Sequence, residues 1–131
     1  MIKETIKNWH KVLENSEEGM LESLLAVDVV FHSPVVLTLQ EGKDLPKMYL
    51  MGAASVLNND SFKYERELLN GSNAVLEFVT VLDGITINGV DIITCDDKGK
   101  IIDFKVMIRP LKAVNMVHQK MGEMLASFNK N

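Results

Sequence analysis

The stretch Asn88-Gly-Val-Asp91, followed by Asp96-Asp-Lys-Gly99 and Met107-Ile-Arg-Pro110, contains one carboxylate within an otherwise apolar segment. That carboxylate is Asp91, and the valines and isoleucines around it are typical of a β-strand. Moving a carboxyl group from water into an apolar site costs several kcal/mol unless the group is paired or protonated. Asp91 therefore indicates a local polar role that packing of the strand alone does not explain.

The second half of the chain is divided by three turn signals. These are Asn70-Gly71, Asp83-Gly84 and residues 96–99, and each has the glycine and asparagine or aspartate residues that tight turns favour. The runs between them predict four consecutive strands, which are Phe62–Leu69, Ala74–Leu82, Ile85–Cys95 and Lys100–Arg109.

The first half has helical periodicity. Apolar residues at helical spacing predict a helix over about residues 3–15 and a second, short helix that ends near Asp28. Val29–Ser33 reads as a short strand that Pro34 ends. Asp44 is a suitable N-cap for a third helix, and helical spacing returns from Leu111 onward. Helices followed by an antiparallel meander predict an α+β fold.

The turn at Asp83-Gly84 also predicts a register. A two-residue turn there places Leu76 opposite Asp91, and a loop at residues 96–99 places Phe104 opposite Asp91 on the other side. Because side chains alternate between the two faces of a sheet, one face is predicted to be apolar apart from Asp91. The residues of that face are Leu76, Phe78, Asp91, Ile93, Ile102, Phe104, Val106 and Ile108. Glu77, Asp103, Lys105 and Arg109 are predicted to lie on the other face.

Composition limits the classes of function. The 131 residues fit one domain, residues 1–131, with 47% hydrophobic residues and a net charge of −4. An acidic chain has no electrostatic attraction to nucleic acid, so we expect no nucleic-acid partner. We also expect no membrane partner, because the apolar run near residues 24–31 is interrupted by Asp28 and is too short to span a bilayer.

The cysteine and histidine content points to a cytoplasmic protein without a metal. The lone Cys95 excludes an internal disulfide framework, and the N-terminus lacks the apolar region of a signal peptide. No histidines have the spacing of a ligand pair, so we expect no metal site. A glycine-rich phosphate loop is also absent from the sequence, and we expect no cofactor.

Several short motifs resemble the nuclear transport factor two-like superfamily, which includes ketosteroid isomerases and SnoaL-like polyketide cyclases. The motifs are Asp28-Val-Val-Phe-His-Ser-Pro34, Gly42-Lys43, Gly89-Val-Asp-Ile-Ile93, Asp96-Asp-Lys-Gly-Lys-Ile101 and Val106-Met-Ile-Arg-Pro110. The resemblance implies a cone-shaped, curved antiparallel sheet wrapped by the N-terminal helices, with a pocket between sheet and helices and a C-terminal helix. It also implies a homodimer.

The resemblance to ketosteroid isomerases is incomplete at the residues that carry their chemistry. Asp91 matches the aspartic acid that such enzymes keep neutral as a hydrogen-bond donor. Ser33 stands where the general-base aspartate precedes the proline, and Trp9 stands where a tyrosine donates a hydrogen bond. Serine is a poor base at neutral pH, and an indole only donates one hydrogen bond. Steroid isomerisation by that mechanism is therefore not expected.

We therefore expect a SnoaL-like domain that binds a small hydrophobic molecule, with Asp91 as the buried polar group. The residues expected to line the pocket are Trp9, Phe31, Ser33, Phe62, Leu76, Phe78, Asp91, Phe104 and Ile108. One alternative is an isomerase, cyclase or hydrolase in which Asp91 is the acid/base and Trp9 or His10 assists. Another is a protein-interaction dimer with a vestigial pocket.

The remaining titratable residues have simpler interpretations. His32 is expected at a surface or interface because alternation turns it away from Phe31 and Ser33. His118, in the last helix, is expected to be solvated. Glu77 and Arg109 are expected to form a cross-strand charge lattice or a dimer contact with Lys105 on the polar face of the sheet.

Overall fold

The computed structural model describes residues 2–15, 18–35, 40–42 and 44–128. Lys43, from one of the motifs quoted above, lies outside these residues. Within them, four helices and six strands follow one another along the chain. They are α1 (Ile2–Asn15), α2 (Glu18–Leu24), β1 (Leu25–His32), β2 (Gln40–Glu41), α3 (Asp44–Leu57), β3 (Lys63–Asn70), β4 (Asn73–Leu82), β5 (Ile85–Cys95), β6 (Ile101–Arg109) and α4 (Leu111–Phe128).

The strands form one curved, open sheet in the order β2-β1-β6-β5-β4-β3. Strands β3 to β6 make the antiparallel meander that the turn signals predict, and β1 joins the meander by pairing in parallel with β6. The α+β fold class is therefore confirmed, with β1 making the sheet mixed rather than purely antiparallel.

The helices cover the inner face of the sheet. Helix α1 buries Ile2, Ile6, Trp9 and Val12 at helical spacing, while α3 and α4 pack against each other and against the sheet. Asp44 stands in the first turn of α3, where its carboxylate complements the helix dipole. No helix within the described ranges has the length and apolar character that crossing a bilayer requires.

The boundary between the second helix and the first strand differs from the prediction. Helix α2 ends at Leu24, and β1 begins at Leu25 rather than at Val29. Leu25 pairs with Ile101 of β6, so pairing with a distant strand overrides the local helical pattern. The other boundaries of the five predicted strands lie within one residue of those observed, and β2 was not predicted.

The hairpin between β4 and β5 has the predicted register. Asp83 and Gly84 have φ angles of 50° and 78°, and positive φ at both central residues is the mark of a type I′ turn. The turn places Leu76 opposite Asp91 and Phe78 opposite Gly89.

The predicted register between β5 and β6 is wrong by two residues. Asp91 lies opposite Val106 rather than Phe104, and a register irregularity follows Thr94. A shift of two residues preserves which face each side chain occupies, so Asp91 still points inward. The irregularity does reverse one predicted assignment. Ile102 is predicted to lie on the apolar inner face, but Ile101 is fully buried while Ile102 is only half-buried.

The outer face of the sheet lacks a covering layer among the described residues. Met107 is 49% exposed and Val81 is 43% exposed on this face. Glu77 and Arg109 also lie there, as predicted. The homodimer that the resemblance implies stays a prediction, and this face is its candidate interface.

Gly89 allows the inner face to close around Asp91. A Cβ at this position would lie 2.5 Å from Cζ of Phe78, 2.8 Å from Cγ2 of Ile108 and 2.8 Å from the carbonyl oxygen of Met107. Separations this short require a neighbour to move, and the carbonyl belongs to a paired strand that cannot yield freely.

We therefore predict that Gly89→Ala lowers the free energy of unfolding by about 1–3 kcal/mol, as overpacking typically does. Gly122→Ala is the matched control, since a Cβ at Gly122 in α4 meets nothing within 4 Å. Alanine is favoured over glycine in a helix, so the control is expected to gain about 0.5–1 kcal/mol. Urea denaturation measures both values, and a Gly89→Ala protein as stable as the wild type contradicts the prediction.

Candidate functional site

Asp91 lies at the centre of the inner face of the sheet and is 6% exposed. Leu76 and Val106 flank it on the neighbouring strands. The hydroxyl of Tyr64 donates a hydrogen bond to Oδ2 of Asp91 at 2.5 Å. Within the described part of the chain, Oδ1 of Asp91 has no hydrogen-bond partner. Every fully buried side-chain oxygen or nitrogen in that part does have a partner, so Oδ1 is not fully buried. Oδ1 is therefore accessible.

Trp9 sets the direction of this hydrogen-bond chain. Its indole Nε1 donates to the Tyr64 hydroxyl oxygen at 2.9 Å. Because an indole only donates, the tyrosine oxygen must accept from Trp9, and its own proton is then free to point to Asp91. Trp9 therefore reaches the Asp91 carboxyl group only through Tyr64.

Tyr64 is a site residue that sequence reasoning missed. It lies two positions after Phe62, which was expected to line the pocket, so alternation would place both side chains on the same face. The rings of Phe62 and Tyr64 do pack edge to face, with centroids 5.1 Å apart. The register of β3 shifts just after Tyr64, and the rest of that strand is exposed.

Asp91 and Tyr64 line a mostly apolar cavity of about 40 Å³, counted as the space open to the centre of a water molecule. A single water needs about 10–15 Å³ on this measure, so the cavity accommodates a few water-sized groups. Helices α1 and α3 close it opposite the sheet. Its lining consists of Trp9, Leu13, Leu50, Ala53, Ala54, Leu57, Asn58, Phe62, Tyr64, Phe78, Asp91, Phe104 and Val106.

The apolar surroundings perturb both acids of the cavity. Burial raises the pKa of Asp91 from an ordinary value of 3.8 to about 7, although the hydrogen bond from Tyr64 acts in the opposite direction. Burial and the adjacent Asp91 carboxylate raise the pKa of Tyr64 well above its ordinary value. At pH values below about 7, Asp91 is therefore a neutral acid with a proton to donate.

A second cavity of about 100 Å³ adjoins the first and shares Ala53, Leu57 and Val106 with it. Phe31 and Ser33 line this second cavity instead of the one that contains Asp91. His118 also lines it and is exposed, as the sequence predicts for this position.

The structure thus brings together five of the nine residues expected at the pocket. Trp9, Phe62, Phe78 and Phe104 surround Asp91, with Trp9 packed edge to face on Phe104 at 4.9 Å. Leu76 and Ile108 appear in the lining of neither cavity. Leu76 is fully buried in the core, and Ile108 packs over Gly89.

The remaining histidines are paired near the surface. Nε2 of His10 lies 2.6 Å from Oε1 of Glu67, and Nε2 of His32 lies 2.9 Å from Oδ2 of Asp103. Neither histidine lines the cavity that contains Asp91. Among the described residues, no three histidine, cysteine, aspartate or glutamate side chains are grouped closely enough to hold a metal ion.

Glu77 and Arg109 do not contact each other directly. Asn88 lies between them, since its amide nitrogen donates to Oε2 of Glu77 at 3.1 Å and its amide oxygen accepts from Nε of Arg109 at 2.8 Å. This network lies on the opposite face of the sheet from Asp91, as the register predicts.

The raised pKa of Asp91 predicts a dependence of stability on pH. The unfolded chain loses this proton near pH 4 and the folded protein near pH 7. Between these values the folded state binds more protons, so the free energy of unfolding falls as the pH rises. The total loss is on the order of 4 kcal/mol and is complete above about pH 7.

Asp91→Asn removes the titrating group, so the wild type should lose stability relative to this variant between pH 4 and pH 8. Urea denaturation across that range measures the difference. Asp60→Asn, at an exposed position, is the control and should follow the wild-type profile. Parallel profiles for the wild type and Asp91→Asn would show that Asp91 titrates normally.

Comparisons with known proteins agree with this architecture. No protein-family model matches the sequence, and no curated protein sequence matches it either. A crystal structure described as a steroid delta-isomerase from Pseudomonas aeruginosa is 32% identical, with a TM-score of 0.92, and the match covers 99% of this chain and 95% of that one.

Two further structures extend the comparison. An uncharacterised protein with a cystatin-like fold from Silicibacter pomeroyi is 31% identical, with a TM-score of 0.83, over 91% of this chain and 83% of that one. A putative SnoaL-like polyketide cyclase from Shewanella denitrificans is 16% identical, with a TM-score of 0.65, over 96% and 97% of the two chains, and shows the fold alone. The chain belongs to the nuclear transport factor two-like superfamily.

Proposed function

We propose that this domain binds a small, mostly apolar molecule through one carbonyl or hydroxyl oxygen that is hydrogen-bonded to Asp91. The observation that carries the proposal is the state of the Asp91 carboxyl group. Its Oδ2 is held by Tyr64, while its Oδ1 is accessible in a group that lines an apolar cavity. A carboxyl oxygen that faces an apolar cavity without a protein partner leaves a hydrogen-bonding position for a ligand oxygen at Oδ1.

The direction of the hydrogen bonds supports donation from Asp91 to the ligand. Trp9 donates to Tyr64 and Tyr64 donates to Oδ2, so the proton of the neutral acid resides on Oδ1. A carbonyl oxygen only accepts hydrogen bonds, and it therefore matches this donor. The match is lost when Asp91 ionises, because a carboxylate repels the lone pairs of a carbonyl oxygen.

The cavity around Asp91 holds only a few heavy atoms by itself, and its volume combined with that of the adjoining cavity supports a ligand of about one ring. The cavity around Asp91 measures about 40 Å³, and its neighbour with Ser33 about 100 Å³. A four-ring skeleton is larger than either cavity. The aromatic walls, with Phe62 stacked on Phe78 at 5.2 Å, favour a flat or cyclic apolar body.

A second candidate is an enzyme that uses Asp91 as acid/base. Its support is the raised pKa of Asp91 and the similarity to a protein described as a steroid delta-isomerase. Such chemistry needs a partner base, and Ser33 does not supply one. Binding is therefore the function that we favour.

Cyclohexanone and methylcyclohexane are matched probes, since they have similar rings and only the first has an oxygen. We predict that Asp91→Leu weakens cyclohexanone binding about tenfold, the size of one neutral hydrogen bond, and leaves methylcyclohexane binding unchanged or stronger. Asp91→Asn retains a donor and should retain cyclohexanone affinity within about threefold. Ligand-observed NMR measures all of these affinities.

The pH dependence provides a control on the same samples. Cyclohexanone affinity of the wild type should be constant below about pH 7 and fall above it, while that of Asp91→Asn stays flat. Equal cyclohexanone affinity in the wild type and Asp91→Leu would contradict the proposal. Deuterium uptake beside the carbonyl in D₂O, dependent on Asp91, would favour the enzyme over the binding protein.

A further inference from the structure

The cavity around Asp91 has two side chains with unused hydrogen-bonding capacity. Four polar side chains line it, namely Trp9, Asn58, Tyr64 and Asp91. The Trp9 indole donates its one proton to Tyr64, which in turn donates to Asp91. The oxygen atoms left without a partner among the described residues are Oδ1 of Asp91 and Oδ1 of Asn58.

The orientation of the Asn58 amide is determined by its neighbour. Nδ2 of Asn58 donates to the main-chain oxygen of Leu13 at 2.8 Å. A main-chain oxygen only accepts, so the amide nitrogen must face Leu13 and the amide oxygen must be the atom left over. Asn58 is half-buried, and its free oxygen is an acceptor.

Asn58 is also held rigidly at the end of α3. Its main-chain nitrogen donates to the oxygen of Ala54 at 2.9 Å. The preceding residue, Leu57, accepts a hydrogen bond of 3.1 Å from the fully buried hydroxyl of Thr80. The amide is therefore held by α1, and the main chain of residues 57–58 is held by α3 and β4, which positions the side chain in advance as in specificity residues.

Asn58 belongs to the walls of two neighbouring cavities. Asn58 lines both the cavity that contains Asp91 and a third cavity of about 120 Å³. These two cavities share Trp9, Leu50 and Ala54 as well. A molecule that extends from Asp91 towards the third cavity therefore passes the amide of Asn58.

We infer that Asn58 selects ligands that carry a hydroxyl group at the end opposite the oxygen bound by Asp91. The inference rests on the proposed function and narrows its ligand to hydroxylated cyclic ketones. One end of the cavity donates to a carbonyl oxygen, and the other accepts from a hydroxyl proton. An apolar far end leaves the amide oxygen of Asn58 desolvated without a partner, which weakens binding.

The test compares 4-hydroxycyclohexanone with 4-fluorocyclohexanone, which is similar in size but has no proton to donate. We expect the wild type to bind the hydroxyl compound about tenfold more tightly. Asn58→Leu should abolish this preference, measured as the ratio of the two affinities within the same variant.

The outcomes separate this inference from the proposed function. Asp91-dependent binding of cyclohexanone without a preference for the hydroxyl compound overturns the role of Asn58 and leaves the proposed function intact. Unchanged preference in Asn58→Leu also overturns it. Absence of Asp91-dependent cyclohexanone binding overturns both. If thermal unfolding shows that Asn58→Leu does not fold, Asn58→Ala takes its place with the same expected result.

Discussion

The hydrogen bond from Tyr64 to Asp91 is the interaction on which the site depends. It connects β3 to β5, and the indole of Trp9 extends it to α1. An isolated carboxyl group in this environment would be costly to bury, and a single partner at Oδ2 reduces that cost without using the second oxygen. The network therefore stabilises the fold and leaves one oxygen of Asp91 for another molecule.

The shape of the sheet makes this arrangement possible. Gly89 has no side chain, so the ring of Phe78 lies across the strand next to Asp91 and completes the apolar wall. The same wall removes water from the carboxyl group and raises its pKa. The residues that make the cavity apolar therefore also keep Asp91 neutral.

The sequence was sufficient for the fold and for the inward direction of Asp91, because turn chemistry and alternation are local. Asp83 and Gly84 determine the register of β4 and β5 by themselves. The predicted register of β6 is wrong because the irregularity after Thr94 has no marker in the sequence. The error is two residues, and an even shift leaves Asp91 on the inner face.

The parts of the site that were not predicted depend on contacts between distant elements. Tyr64 and Asn58 lie 27 and 33 positions from Asp91 in the sequence, and their roles follow from how β3 and α3 pack on β5. The division of the pocket into neighbouring cavities also follows from packing, because α3 lies across the sheet and separates Ser33 from Asp91.

The most direct test of this account is the pKa of Asp91 itself, measured by NMR of carboxyl carbons in protein labelled at aspartate, with the resonance assigned from Asp91→Asn. We predict a pKa of about 7 in the wild type. Tyr64→Phe should raise it further, because the lost hydrogen bond favours the ionised form. A pKa near 4, unaffected by Tyr64→Phe, would contradict the claim that Asp91 is a neutral, inward-facing acid held by Tyr64.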